Sequence, residues 1–166
     1  MPVFELEPID EPLDNRNVRN LLQLMNSNPD FNRGVLGRTT ITEEDLKENT
    51  EQNLNLGANY FYVKKDSENI GLIHYLPKNP HDGHTWIGLL IIDKRYQQRG
   101  VGTNSLRVLE GMFIAQKIGR VRLCVQHGNS SGADFWKKNG FTVIDTSVDE
   151  YQNQIDIYEK QLKVNC

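Results

Sequence analysis

The chain has 166 residues, a formal net charge of -3, and 37% hydrophobic against 25% charged residues. That length fits one domain, residues 1–166, able to bury a core without disulfides or metals. The acidic balance argues against a nucleic-acid partner, which calls for a basic stripe, and no apolar run approaches the ~20 residues of a membrane span.

Residues 3–9 alternate apolar and polar and read as a short strand. Val18, Leu21, Leu22 and Met25 share one face of a helix over residues 17–27, and Asn28-Pro29-Asp30 breaks it. Thr42, with Asp45 three positions on, is the signature of a reciprocal N-cap. The helix it opens runs to about Leu56 and stops at Gly57. Strands follow at Tyr60-Phe61-Tyr62-Val63 and at residues 69–76. After a polar turn over 77–83 comes Thr85–Ile92, apolar on both faces as a central strand requires. Residues 100–118 keep helical spacing through Leu106, Leu109, Met112 and Phe113, with Val108 and Ala115, up to Gly119. Residues 121–126 form a strand, 131–139 a short helix closed by Gly140, and 141–148 and 154–162 two last strands. The order β-α-α-β-β-β-α-β-α-β-β predicts an α/β (α+β) fold, a mixed sheet flanked by about four helices.

Two cysteines lack any metal or redox spacing. Cys124 reads as a small core residue and Cys166 as a thiol in the tail, both free in a reducing cytoplasm. The first ten residues have neither the basic nor the apolar segment of a signal peptide.

Chemistry concentrates at Gln97-Gln98-Arg99-Gly100-Val101-Gly102-Thr103, between the central strand and the long helix. The first turn of a helix has unpaired N–H groups and a positive dipole end. Glycines let a ligand approach that backbone, and Arg99 adds a forked cation, so the stretch suits a pyrophosphate. A P-loop would need Gly-Lys-Ser/Thr, but Thr103-Asn104 follows Gly102. A dinucleotide fingerprint would need a third glycine where Ser105 stands and an acidic residue after the next strand, which ends Val125-Gln126. Gln97, Gly100 and Gly102 instead match Gln/Arg-x-x-Gly-x-Gly/Ala. A second stretch, NSSGADFWKKNGF from Asn129 to Phe141, carries an asparagine, an aromatic pair Phe135-Trp136, then Lys138, Gly140 and Phe141. With these motifs the chain resembles, over essentially its whole length, the GNAT family of acyl-CoA-dependent N-acetyltransferases.

The resemblance implies a fold: a mostly antiparallel sheet of six to seven strands whose central parallel pair splays apart. It implies that acetyl-CoA is the cosubstrate, with its pyrophosphate on the backbone amides of Gln98, Arg99, Gly100, Val101, Gly102 and Thr103 and with Gln97 among the cofactor-binding residues. The pantetheine arm would run along Leu90, Ile91 and Ile92, with Asn129 and Trp136 also at the cofactor. Family members are often dimers, which leaves a homodimer open.

Acetyl transfer needs a neutral amine, and a lysine-like amine with a pKa near 10.4 is almost wholly charged at pH 7. Many members place a tyrosine acid where Trp136 stands, and histone-type members a glutamate base where Trp86 stands. These tryptophans either wall a pocket or belong to the core. His74, His84 and Tyr151, with Glu150 beside it, are the substitute candidates for acid–base work. Otherwise catalysis rests on proximity and on backbone amides polarising the carbonyl. His81-Asp82-Gly83-His84 lacks further metal ligands and reads as a hairpin turn, so no metal is expected.

Two acidic stretches, Glu43-Glu44-Asp45 with Glu48 and Glu51, and Asp145, Asp149, Glu150, Asp156 and Glu159, form either a rim that steers a cationic amine or plain solvated surface. The reading is therefore an N-acyltransferase acting on a small or peptide primary amine by direct attack in a ternary complex. The alternative is a non-catalytic acyl-CoA-binding module.

Overall fold

In the computed structural model, which describes residues 4–36 and 40–164, seven strands form one sheet. The elements are β1 (Phe4–Pro8), α1 (Asn15–Asn26), α2 (Pro29–Leu36), α3 (Glu43–Asn55), β2 (Asn59–Lys65), β3 (Glu68–Leu76) and β4 (Thr85–Ile92). There follow α4 (Val101–Ala115), β5 (Arg120–Gln126), α5 (Ser130–Lys138), β6 (Thr142–Val148) and β7 (Gln154–Gln161). In space the strands run β1-β2-β3-β4-β5-β7-β6. All neighbours are antiparallel except β4 and β5, so the mixed, mostly antiparallel sheet is as expected. Val3, expected in the first strand, and Cys166 lie outside the described residues.

One helix exceeds the expectation. Asn28-Pro29 ends α1, but Pro29 also opens α2. Proline has no amide hydrogen to forfeit at a first helical position, and its φ is already helical. The pair therefore joins two helices rather than closing one. At α3 both halves of the expected cap form: Asp45 N donates to Thr42 Oγ1 at 3.1 Å, and Thr42 N donates to Asp45 Oδ2 at 3.2 Å.

Strand alternation sends successive side chains to opposite faces and builds two cores. Phe61, Val63, Ile73, Tyr75, Ile87 and Ile92 pack with Leu106, Leu109 and Phe113 of α4 and with Phe141. On the other face Tyr60, Tyr62, Leu72, Leu89 and Ile91 pack with Val18, Leu21 and Leu24 of α1 and Leu46 of α3. This second core contains no residue of β5, β6 or β7. Cys124, which alternates onto that face between buried Leu123 and Val125, is consequently exposed rather than the core residue expected. Every residue of β6 is exposed.

Candidate active site

The register of β4 locates the site. On one side β4 stays paired with β3 up to Gly71↔Ile92. On the other it pairs with β5 only at Thr85↔Val121 and Trp86↔Arg122. Beyond that point the parallel strands part, and the edge of β4 over residues 87–92 faces a slot instead of a strand. Leu90, Ile91 and Ile92 lie on this edge. A bulge sits at the parting: His74 is opposite Leu89, whereas Tyr75 is opposite Ile87, leaving Gly88 unpaired.

Gly88 is there because His74 lies over it. A Cβ at Gly88 would fall 2.5 Å from His74 Cε1 and 2.6 Å from Nδ1. The imidazole also stacks on Tyr60, with centroids 4.7 Å apart. Burial lowers its pKa from the usual 6.5 to about 4. It is neutral at physiological pH and suits accepting or donating a hydrogen bond better than storing a proton.

At the open end of the slot α4 begins. Gln98 (φ 62) and Gly100 (φ 77) turn the chain through left-handed conformations, and Gly100 has no side chain to cap the helix. The first N–H groups of α4, on Val101, Gly102 and Thr103, thus point out without a side-chain acceptor, which makes an anion seat. Arg99 lies over the Tyr96 ring at 6.0 Å, and Tyr96 Oη donates to Glu68 Oε2 at 2.6 Å. Gly102 lets α4 and α5 close together, since a Cβ there would stand 3.1 Å from Phe135 Cε1. Gln97, by contrast, turns its amide inward, donating to the Ile92 carbonyl at 2.9 Å and to Asn28 Oδ1.

Asn129 caps α5, its Oδ1 accepting from Gly132 N at 3.0 Å. Trp136 packs edge-on against Phe135 and Phe141, 4.9 and 5.1 Å between centroids, and so belongs to the first core. Trp86 donates Nε1–H to Asp82 Oδ2 at 2.8 Å. Asp82 also accepts from Arg122 Nη1 at 3.4 Å, while Arg122 Nε donates to Glu159 Oε2 at 2.8 Å. This cluster clasps the closed end of the slot, where β4 and β5 still pair. His84 belongs to the turn before it, where its N–H donates to Asp82 Oδ1 at 2.9 Å.

Tyr151, in the β6–β7 connection, has its pKa raised by partial desolvation and then by Glu150, Glu48, Asp149 and Asp45. Two of these carboxylates come from α3 and two from Tyr151's own loop, so both acidic stretches act electrostatically on one phenol. One pair had no signal in the sequence: His127 Nε2 lies 2.7 Å from Asp156 Oδ1, 29 residues away. It lines a cleft of about 320 Å³ between α5 and β7, with Ser130, Ala133, Lys137 and Tyr158.

A mixed sheet parted at its parallel pair, with an uncapped helix at the open end, suits an extended ligand that carries an anionic group. The model of the acetyltransferase (GNAT) family matches residues 21–141, and the chain belongs to that family. Its reaction is acetyl transfer, for which the family uses acetyl-CoA. Among solved structures it resembles an acetyltransferase from Thermus thermophilus, 19% identical, TM-score 0.76, covering 96% of this chain and 97% of that one. It also resembles the Salmonella typhimurium acetyltransferase that modifies the N-terminal serine of ribosomal protein L7/L12, 19% identical, TM-score 0.75, covering 96% and 95%. A spermidine N-acetyltransferase chimera that includes Vibrio cholerae sequence is 15% identical, TM-score 0.69, covering 96% and 95%. No curated protein matches the chain significantly. Among the described residues no helix is long and apolar enough to cross a membrane, and no three His, Cys, Asp or Glu side chains are grouped to hold a metal.

Proposed function

We propose that the chain acetylates a cationic primary amine held between α3 and the β6–β7 connection. The observation behind it is that Asp45 and Glu48 of α3 and Asp149 and Glu150 of the loop all act electrostatically on Tyr151. Carboxylates there raise the local concentration of an ammonium group. Two structural neighbours act on amines by their descriptions, one on a protein N-terminus and one on spermidine.

Residues 98–103 fit the donor's pyrophosphate through the uncapped α4 start and Arg99. The β4 edge at Leu90, Ile91 and Ile92 offers backbone to its arm, apart from the Ile92 carbonyl, which Gln97 and Asn28 already hold. Acetyl-CoA supplies an activated acetyl thioester and a thiolate leaving group. The chain must bring a neutral amine to it. His74, held neutral, accepts a hydrogen bond from the amine or from a water and aims its lone pair. Tyr151, held protonated, is a donor rather than a base. Backbone N–H groups along the free β4 edge are the donors available to a carbonyl oxygen. A free Cys124 fits a reducing cytoplasm.

The test is thermal unfolding with and without acetyl-CoA, followed by thiol release against a panel of amines. Donor at 100 times its dissociation constant adds about 2.7 kcal/mol. Thiol release with polyamines or basic peptides, but not with acidic or neutral ones, is the expected pattern. Equal rates for all amines would remove the role given to the carboxylates.

A further inference from the structure

The residue that leads the Gln-x-x-Gly-x-Gly motif does not face the anion seat. Gln97 Nε2 donates to the Ile92 carbonyl at 2.9 Å and to Asn28 Oδ1. Asn28 Nδ2 donates to the same carbonyl at 3.2 Å. Ile92 is the last residue of β4, and Asn28 is the junction of α1 with α2. Two side-chain amides from positions 69 residues apart thus lock onto one backbone oxygen beside the donor loop.

The amides continue from there. Asn32 N donates to the Asn28 carbonyl at 3.2 Å. Asn32 Nδ2 donates to Asn26 Oδ1 at 3.3 Å. Asn26 then grips Ile41 on both sides, accepting from its N–H at 2.8 Å and donating to its carbonyl at 3.2 Å. Ile41 precedes the Thr42 cap of α3. The path therefore leads from the pyrophosphate loop, through the α1–α2 junction, to the helix that carries half of the acidic rim. Asn32 is only 1% exposed and Asn26 and Asn28 are half-buried, so the middle of this relay is partly shielded from competing water, with Gln97 at its exposed end.

We infer that Gln97 and Asn28 are positioning residues that couple the donor loop to the acceptor-side helices, so that donor binding orders the acceptor site. This rests on the reading of residues 98–103 as the pyrophosphate loop. A ligand that fixes Gln98 to Gly100 fixes the preceding Gln97 as well. Its amide then holds Asn28, and the α1–α2 junction loses freedom before any amine arrives. Linkage makes the effect reciprocal: a bound amine tightens the donor by the same factor.

Hydrogen exchange with coenzyme A as the probe tests this without knowledge of the acceptor. In the wild type, saturating coenzyme A should slow exchange at residues 98–103 and also, by about fivefold or more, at 26–32 and 40–46. Gln97→Glu keeps the shape of the side chain but removes the N–H donor; Gln97 is exposed, so the fold tolerates the change. In that variant coenzyme A should still protect 98–103 but no longer 26–32 and 40–46. Gln97→Arg, which restores donors, should restore the remote protection. Remote protection that persists in Gln97→Glu, or is absent in the wild type while 98–103 are protected, overturns the coupling. Absence of protection at 98–103 in the wild type instead overturns the pyrophosphate assignment on which it rests.

Discussion

The two halves of the sheet are built to different standards. Strands β2 to β4 carry helices on both faces, and β2 and β3 are each buried over four consecutive residues. Strands β5 and β7 have one packed face and β6 has none, being exposed throughout, because the second core stops at β4. Only two residue pairs join the halves through the backbone. A sheet that needed only to be stable would have zipped β4 to β5 along their length. The slot costs those hydrogen bonds, and the first half, with its two cores, supplies the rigidity to sustain it.

Side chains partly repair the seam. Glu110 of α4, its side chain 8% exposed, accepts from Lys160 of β7 at 2.7 Å and from Arg107 at 2.8 Å. Removing Glu110 leaves the largely buried Lys160 ammonium with only the Asn139 carbonyl, so Glu110→Ala should cost about 4 kcal/mol in chemical denaturation. A loss under about 1 kcal/mol would mean that the halves are tied elsewhere. Leu72→Ala empties a site 1% exposed in the second core and should cost about 3 kcal/mol.

His74 gives the first half an acid-sensitive element. Its folded pKa, about 4, lies below the unfolded 6.5. Between those values the unfolded chain takes up a proton that the folded chain refuses. Stability should therefore fall as pH drops from 6.5 to about 4, by up to about 3 kcal/mol, and His74→Gln should flatten that slope. A slope unchanged by the substitution would place the titrating group elsewhere. The smallest effect belongs to the open half: Ile144→Ala, at a side chain 44% exposed, should change stability by less than about 0.5 kcal/mol. A cost like that of Leu72→Ala would show that something covers β6 in solution.

Much of this was legible in the residues. The strands and four helices followed from periodicity, and the α3 cap from Thr42 and Asp45. The helix start proposed as the anion seat could be read because it is local: a glycine pair, one arginine and a helix start within seven residues. Helix α2 was missed because a proline that ends one helix can equally begin another. The acceptor side was less legible, since its meaning lies in contacts between distant positions. Nothing in the chain marks His127 as the partner of Asp156, or Asn28 as the partner of Gln97. An amide looks the same in sequence whether it reaches solvent, a ligand or another amide. Trp86 and Trp136 were ambiguous for the same reason, and packing separates them: one hydrogen-bonds Asp82, the other joins the aromatic core.

The bare first turn of α4 has a practical consequence at the bench. Its N–H groups are the proposed seat of the donor's pyrophosphate, so phosphate or sulfate in a buffer should compete with the donor. An anion at ten times its own dissociation constant lowers apparent donor affinity about elevenfold. Kinetics of this enzyme measured in phosphate and in a zwitterionic buffer should differ in the KM for acetyl-CoA and agree in kcat.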